Sequence, residues 1–188
     1  DCDNVTPQPE DLVSPALYAT LSQSSTDPYN GPLEVLPCET NGSFYIGNYT
    51  AKGKQVPFPA YYLITNGIGK SQKYPLRLPV GTYNVIYWGY PDYFGTAGDA
   101  YLADPTLIIG KKLNTTSLGL RKIPGDTVYY PIHSLVYGTQ NINIGKDDLQ
   151  AHLKHASAAL SVIVSETNGD AFSDAIDSMW IYISNIYS

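Results

Sequence analysis

Hydrophobic and polar residues alternate along most of this chain in short runs, cut by Gly, Pro, Asn and Asp too often to leave room for helices. Residues Asp1 to Glu10 carry Pro7 and Pro9 among acidic and polar neighbours and predict an extended lead-in, followed by a single domain over 11–188. Leu12 to Leu21 predicts a first strand, because Val13, Leu17, Ala19 and Leu21 mostly alternate with polar residues. Ser22 to Pro32 is turn-rich, with Asp27-Pro28 and Asn30-Gly31. Leu33 to Leu36 and Phe44 to Tyr49 predict short strands on either side of Asn41-Gly42, a pair suited to tight turns. Pro57 and Pro59 lack the ladder's N–H donor, which confines the approach to a strand at Ala60 to Ile64 to a sheet edge.

The clearest pattern comes next. Tyr74 to Leu78 predicts a strand, Pro79-Val80-Gly81 a turn, and Thr82 to Tyr90 a long strand. Tyr83, Val85 and Tyr87 share one face of that strand; Ile86, Trp88 and Tyr90 share the other. Both faces are apolar, so the strand is expected to be covered on both sides. Tyr90 to Asp104 is a long loop through Pro91, Gly95 and Gly98. Leu107 to Ile109, Leu118 to Ile123, Val128 to Tyr137 and Ile142 to Ile144 predict further short strands, with Pro124-Gly125-Asp126 as a turn. Leu149 to Val164 becomes β-branched in its second half and predicts one long strand. Asp170 to Asp177 suits a short helical stretch, and Met179 to Ile186 a final alternating strand. Roughly ten short strands with almost no helix make an all-β, mainly antiparallel sandwich or barrel. Tyr83, Val85 and Ile86 are expected in its core, with Leu160, Val162 and Val164 packed nearby.

Composition narrows the function. With 11 basic against 17 acidic residues the net charge is −6, which disfavours nucleic acid as a partner. Charged residues are only 15% of the chain, while aromatics reach 12% and most of them are Tyr, a mix common on secreted β-rich surfaces. No apolar run approaches the roughly 20 residues of a spanning helix. The only thiols, Cys2 and Cys38, lack zinc-ligand spacing; a disulfide tying the N-terminus to the body is favoured over two unrelated thiols.

Candidate chemistry is sparse. His152 and His155 stand three apart with Lys154 between them and no HExxH arrangement, and the remaining histidine is His133; no metal site is expected. There is no GxSxG elbow, no cysteine-protease signature, no GxGxxG or GxxxxGK loop, and the acidic pairs lack EF-hand spacing. An enzyme is therefore the less favoured class, and no cofactor is expected. Tyr87, Trp88, Tyr90, Tyr93, Phe94 and Tyr101 gather around the long loop. Exposed rings there would stack on sugars or anchor a protein; the competing reading is that they fill the core and its rim. Asn4, Asn41, Asn48 and Asn114 head glycosylation sequons, which also arise by chance in so Asn- and Thr-rich a chain.

Two stretches carry a resemblance. Leu78-Pro79-Val80-Gly81-Thr82-Tyr83 running on to Trp88-Gly89 resembles the LPxGxYxxxxWG segment of fimbrillin-like proteins of Bacteroidales type V fimbriae, in particular their anchor and accessory lipoproteins. Downstream, Leu135-Val136-Tyr137-Gly138 and then Leu153 to Val164 resemble the family's later DLxYG and LxRxxAxLxVxV strands, with His155 where the family more often has Arg. The resemblance implies an antiparallel, Greek-key, transthyretin-like β-sandwich, usually one of two in tandem; this chain has room for one. It also implies a non-enzymatic cell-surface protein, an outer-membrane lipoprotein whose lipid anchor lies upstream of Asp1. Such a subunit takes part in pilus assembly or adhesion by β-strand exchange with other fimbrial subunits or with host or bacterial surface ligands. Met179, Trp180, Ile181, Tyr182 and Ile183 form the candidate assembly strand, since Met179 to Ile186 contains no charged residue to guard an edge; the competing and favoured reading is an internal strand of a self-complete sandwich. Two other readings stay open: a carbohydrate- or protein-binding surface lipoprotein using Tyr90, Tyr93, Phe94 and Tyr101, and a small secreted hydrolase.

Overall fold

Alternation along Leu17–Leu21, with Leu17 and Ala19 buried and Tyr18 exposed, sets the pattern on which the whole domain is built: one face of each strand inward, the other outward. The computed structural model describes residues 7–21, 27–40, 44–91, 102–103, 107–112, 119–120, 125, 127 and 135–155. By contacts the chain divides into Asp1–Ala156 and Ser157–Ser188, and all the described residues belong to the first unit. A single 3-10 turn, Pro9–Asp11, precedes the strands. These are β1 (Leu12–Val13), β2 (Leu17–Leu21), β3 (Asp27–Pro28), β4 (Gly31–Cys38), β5 (Asn48–Tyr49), β6 (Gln55–Val56) and β7 (Ala60–Thr65). They continue as β8 (Ile68–Tyr74), β9 (Leu78–Pro79), β10 (Gly81–Gly89), β11 (Leu102–Ala103), β12 (Gly119–Leu120), β13 (Val136–Ile144) and β14 (Leu149–His155).

One ladder runs β14-β13-β10-β4-β7-β8-β2, and β14 also pairs with β2, so seven strands close into a barrel-like ring with β3 appended to β2. Closure satisfies backbone groups that an open sheet would leave at its edges. The all-β class holds. The pairing is mainly antiparallel, as expected, with one exception, the β2–β14 pair, which is parallel over Leu17↔Leu149 to Leu21↔Leu153. The reason is arithmetic: neighbours in a closed ring of seven cannot all alternate in direction, so at least one pair must be parallel.

Inside the ring, Leu33, Val35, Ile64, Val85, Tyr87 and Leu153 belong to one buried cluster. Outside it, Leu36, Tyr45 and Trp88 form a second cluster, with Ile86, Leu107 and Leu135 packed against it. The two-faced pattern of β10 is thus answered by cover on both sides. Tyr83 and Ile86 are only half-buried, however, and the deepest residues of that strand are Val85 and Tyr87. Leu160, Val162 and Val164 lie outside the described residues.

Several predicted strands are cut differently. The Leu12–Leu21 strand breaks at Ser14-Pro15-Ala16, so that Leu12 and Val13 pair with Pro79 and Leu78 while β2 enters the ring. Tyr74–Leu78 is not one strand: it divides at Pro75, which has no N–H to donate. Upstream, the polar run of β8 forms a strand because Asn66 (φ 50°) and Gly67 (φ 75°) make the tight turn that folds it onto β7, leaving β7 internal between β4 and β8. Val136 to Ile144 is continuous despite its weakly apolar middle. Leu107–Ile109 is a turn-bearing segment rather than a strand.

Candidate functional site

The ring is unevenly stitched, and its thin places flank the parallel pair. Between β2 and β8 only Tyr18↔Ile68 is in register, supported by the Ala19 N–H donating to the Gly67 carbonyl at 2.8 Å. Between β13 and β14 the register covers Val136↔His155 and Tyr137↔Lys154 alone. The β2–β14 pair itself has five registered positions, closed at its start by the Leu149 N–H donating to the Ala16 carbonyl at 2.8 Å. Tyr18 and Ile68 stand on the outer face at 43% and 53% exposure, so two large apolar side chains mark the thinner seam.

Gln140 bridges the gap beyond the β13–β14 register. It follows Val136 and Gly138 on the inward-facing set of β13, a polar residue at a core position. Its Oε1 accepts from the Tyr87 hydroxyl at 2.6 Å and from the Gln150 N–H at 2.9 Å, and its Nε2 donates to the Asp148 carbonyl at 3.1 Å. One side chain thus replaces ladder bonds the strands do not make. Gln140→Ala should cost about 2–3 kcal/mol, because the buried Tyr87 hydroxyl loses its acceptor and β14 loses its stitch. Urea unfolding reads the loss, and hydrogen exchange should speed up in β14 before it does in β4. Exchange quickening equally in both strands would contradict the stitching role.

The outer layer holds the other polar features. Tyr45 sits on the outer face of β4 and β10, where its N–H donates to the Lys111 carbonyl at 3.0 Å and its hydroxyl donates to the Pro57 carbonyl. Cys38 is buried with no disulfide partner among the described residues, and burial pushes its thiol up to about 12. Burial raises Tyr45 and Tyr87 as well, with Cys38 and Glu34 adding to the effect at Tyr45 and Tyr62 at Tyr87. Groups shifted this way are held protonated at neutral pH and are not activated nucleophiles. A shallow depression of about 440 Å³ lies alongside, lined by Glu39, Thr40, Ile46, Thr82 and Tyr83, with the Thr40 hydroxyl donating to the Thr82 carbonyl at 2.8 Å.

The expected site residues fall as follows. Tyr90 is buried, at 8% exposure, so it packs instead of offering an open ring. Tyr93, Phe94 and Tyr101 lie outside the described residues, as do Met179, Trp180, Ile181, Tyr182 and Ile183, and Cys2, the expected partner of Cys38. His152 Nδ1 is 3.0 Å from the Thr20 hydroxyl on the outside of the closing pair. Among the described residues no group of three or more His, Cys, Asp or Glu is placed to hold a metal ion. Asn48 is buried at 2%, its Nδ2 donating to the Pro75 carbonyl and its Oδ1 accepting from the Arg77 N–H, so its sequon is structural. Sequence reasoning passed over the seams and Gln140; a glutamine on the apolar face of Val136–Ile144 was the available signal.

The family model described as fimbrillin-A associated anchor proteins Mfa1 and Mfa2 matches residues 10–188. No curated protein and no solved structure matches the chain.

Proposed function

This chain belongs to the family of fimbrillin-A associated anchor proteins, and we propose on that premise that it is an anchor or accessory subunit that engages fimbrillin by β-strand exchange. The family associates with fimbriae and so works at the cell surface. The single observation that supports the exchange mechanism is the β2–β8 seam, where one registered pair joins two strands of the ring. A partner strand entering there gains backbone hydrogen bonds with β8 at the expense of a seam that offers few, while pockets for alternate side chains supply specificity. Outer-membrane lipidation, adhesion, a transthyretin-like topology and a Cys2–Cys38 bridge that tethers the N-terminus belong to the same reading.

A cross-link across the seam tests it. The double variant Tyr18→Cys/Ile68→Cys, oxidised and with the 18–68 bond verified by mass spectrometry, should lose capture of purified fimbrillin at least tenfold. Reduction should restore capture. Equal capture by the locked and unlocked forms would rule out exchange at this seam.

A further inference from the structure

Charge is divided along this chain in a way that its net value hides. Five of the 11 basic residues, Lys52, Lys54, Lys70, Lys73 and Arg77, fall between Thr40 and Pro91, and none of the 17 acidic residues does. Within the fold, this acid-free stretch supplies β5 to β10. Lys70 and Tyr74 share the outer face of β8, because they stand opposite Leu63 and Tyr61 of β7, which are two residues apart. Lys70 is exposed, and Tyr74 is 39% exposed with Phe58, itself 48% exposed, tilted against it at 5.5 Å between ring centroids. The β5–β6 hairpin is tied to the end of β8 by Asn48, which donates to the Pro75 carbonyl at 2.9 Å and accepts from the Arg77 N–H at 2.8 Å. That hairpin carries Lys52 and Lys54, both exposed. Lys70 thus shares the outer face of β8 with Tyr74, whose ring meets Phe58 at the strand's end, and Lys52 and Lys54 lie on the hairpin tied to that end, where Gly53 packs beside Pro7 and Pro9 just ahead of Glu10 and Asp11.

We propose that this face, Lys52, Lys54, Lys70, Phe58 and Tyr74, binds an anionic polysaccharide. Lysines on long flexible stems attract a polyanion as point charges and release its counterions, with no need of a fixed fork geometry. Aromatic rings at the same place offer flat apolar area to the C–H faces of sugar rings. An acidic protein surface is the rival occupant, and the lysines count against it, since Lys is depleted in protein–protein interfaces while Arg is enriched. The cell-surface location implied by the family makes polysaccharide the polyanion this face would meet. The site does not depend on strand exchange at the β2–β8 seam.

The test uses the full chain with three soluble probes: heparin as a sulfated polysaccharide, neutral dextran and polyglutamate. Heparin should bind, and its affinity should fall about tenfold or more between 50 and 200 mM salt, as release of about three counterions requires. Lys52→Gln/Lys54→Gln/Lys70→Gln should weaken heparin binding at least tenfold and flatten its salt dependence. Phe58→Ala/Tyr74→Ala should weaken it several-fold with the salt slope kept. Lys146→Gln/Lys154→Gln, which removes two exposed lysines elsewhere, should leave it unchanged. Melting temperatures of all variants, and fimbrillin capture by the lysine variants, separate loss of this site from unfolding or failure of the exchange mechanism. The proposal is overturned if heparin does not bind, if dextran binds as well, if the Lys146/Lys154 control loses as much, or if polyglutamate binds more tightly than heparin.

Discussion

Raising the pH from 8 to about 11 should destabilise this protein by about 5 kcal/mol, provided a reductant keeps Cys38 as a thiol. Cys38, Tyr45 and Tyr87 are all essentially inaccessible to solvent, and burial raises the pKa of each. In the unfolded chain a cysteine loses its proton near 8.5 and a tyrosine near 10. The folded state keeps these protons to higher pH, so it binds more protons than the unfolded state in that window. Stability is therefore complete below the unfolded pKa values and falls as pH rises towards the folded ones. Each group loses about 1 kcal/mol per pH unit above its unfolded pKa. By pH 11 that is about 3 kcal/mol for Cys38 and about 1 for each tyrosine, or about 5 in total, against a typical stability of about 5–15. Tyr49, Tyr62 and Tyr83 are raised as well and act in the same direction. Circular dichroism melts from pH 8 to 11 should show a steep fall in melting temperature. A melting temperature flat to pH 11 would contradict the burial of these groups.

Gly89→Ala should cost about 3–5 kcal/mol, more than a single methyl group usually does. A Cβ at Gly89 would overlap the Pro32 carbonyl oxygen and come within 2.6 Å of the Tyr29 hydroxyl. That hydroxyl donates to the same carbonyl at 2.7 Å, with Tyr29 fully buried. The obstacle is backbone, so no rotamer change relieves it: β10 must move away from β4, where Gly89 is in register with Leu33. Overpacking of this kind costs about 1–3 kcal/mol, and a buried hydroxyl stripped of its acceptor about as much again. Thr139→Ala, exposed on neighbouring β13, should change stability by no more than about 0.5 kcal/mol. Urea unfolding of the two variants compares them directly; equal midpoints would mean that β4 and β10 do not approach so closely at Gly89.

Local chemistry was legible wherever one residue's needs decide the outcome. The alternation of Thr82 to Tyr90 foretold a strand covered on both faces. The motif at Leu78–Gly89 led to the right family over most of the chain. Polar strands were not legible: β8 reads as a loop by composition, and it is a strand because Asn66-Gly67 lays it against an apolar partner. The missed strand shows that a hairpin's second arm can borrow its order from the first.

What the sequence by itself determined is the set of periods, turns and breaks, since these follow from φ, ψ and hydrogen-bonding limits within a few residues of one another. Asn66-Gly67 reverses the chain, and Tyr87 faces opposite to Trp88, whatever the rest of the molecule does. Only the tertiary structure decided that the ladder closes, that β2 and β14 meet in parallel, and that Gln140 turns inward to stitch β13 to β14. The first two depend on pairings between residues more than a hundred positions apart, such as Thr20 with His152, and the third on the Tyr87 hydroxyl, 53 positions from Gln140. Periodicity tells which face of a strand is buried, but a strand's neighbours are selected by how all the strands together can satisfy their backbones and fill one interior.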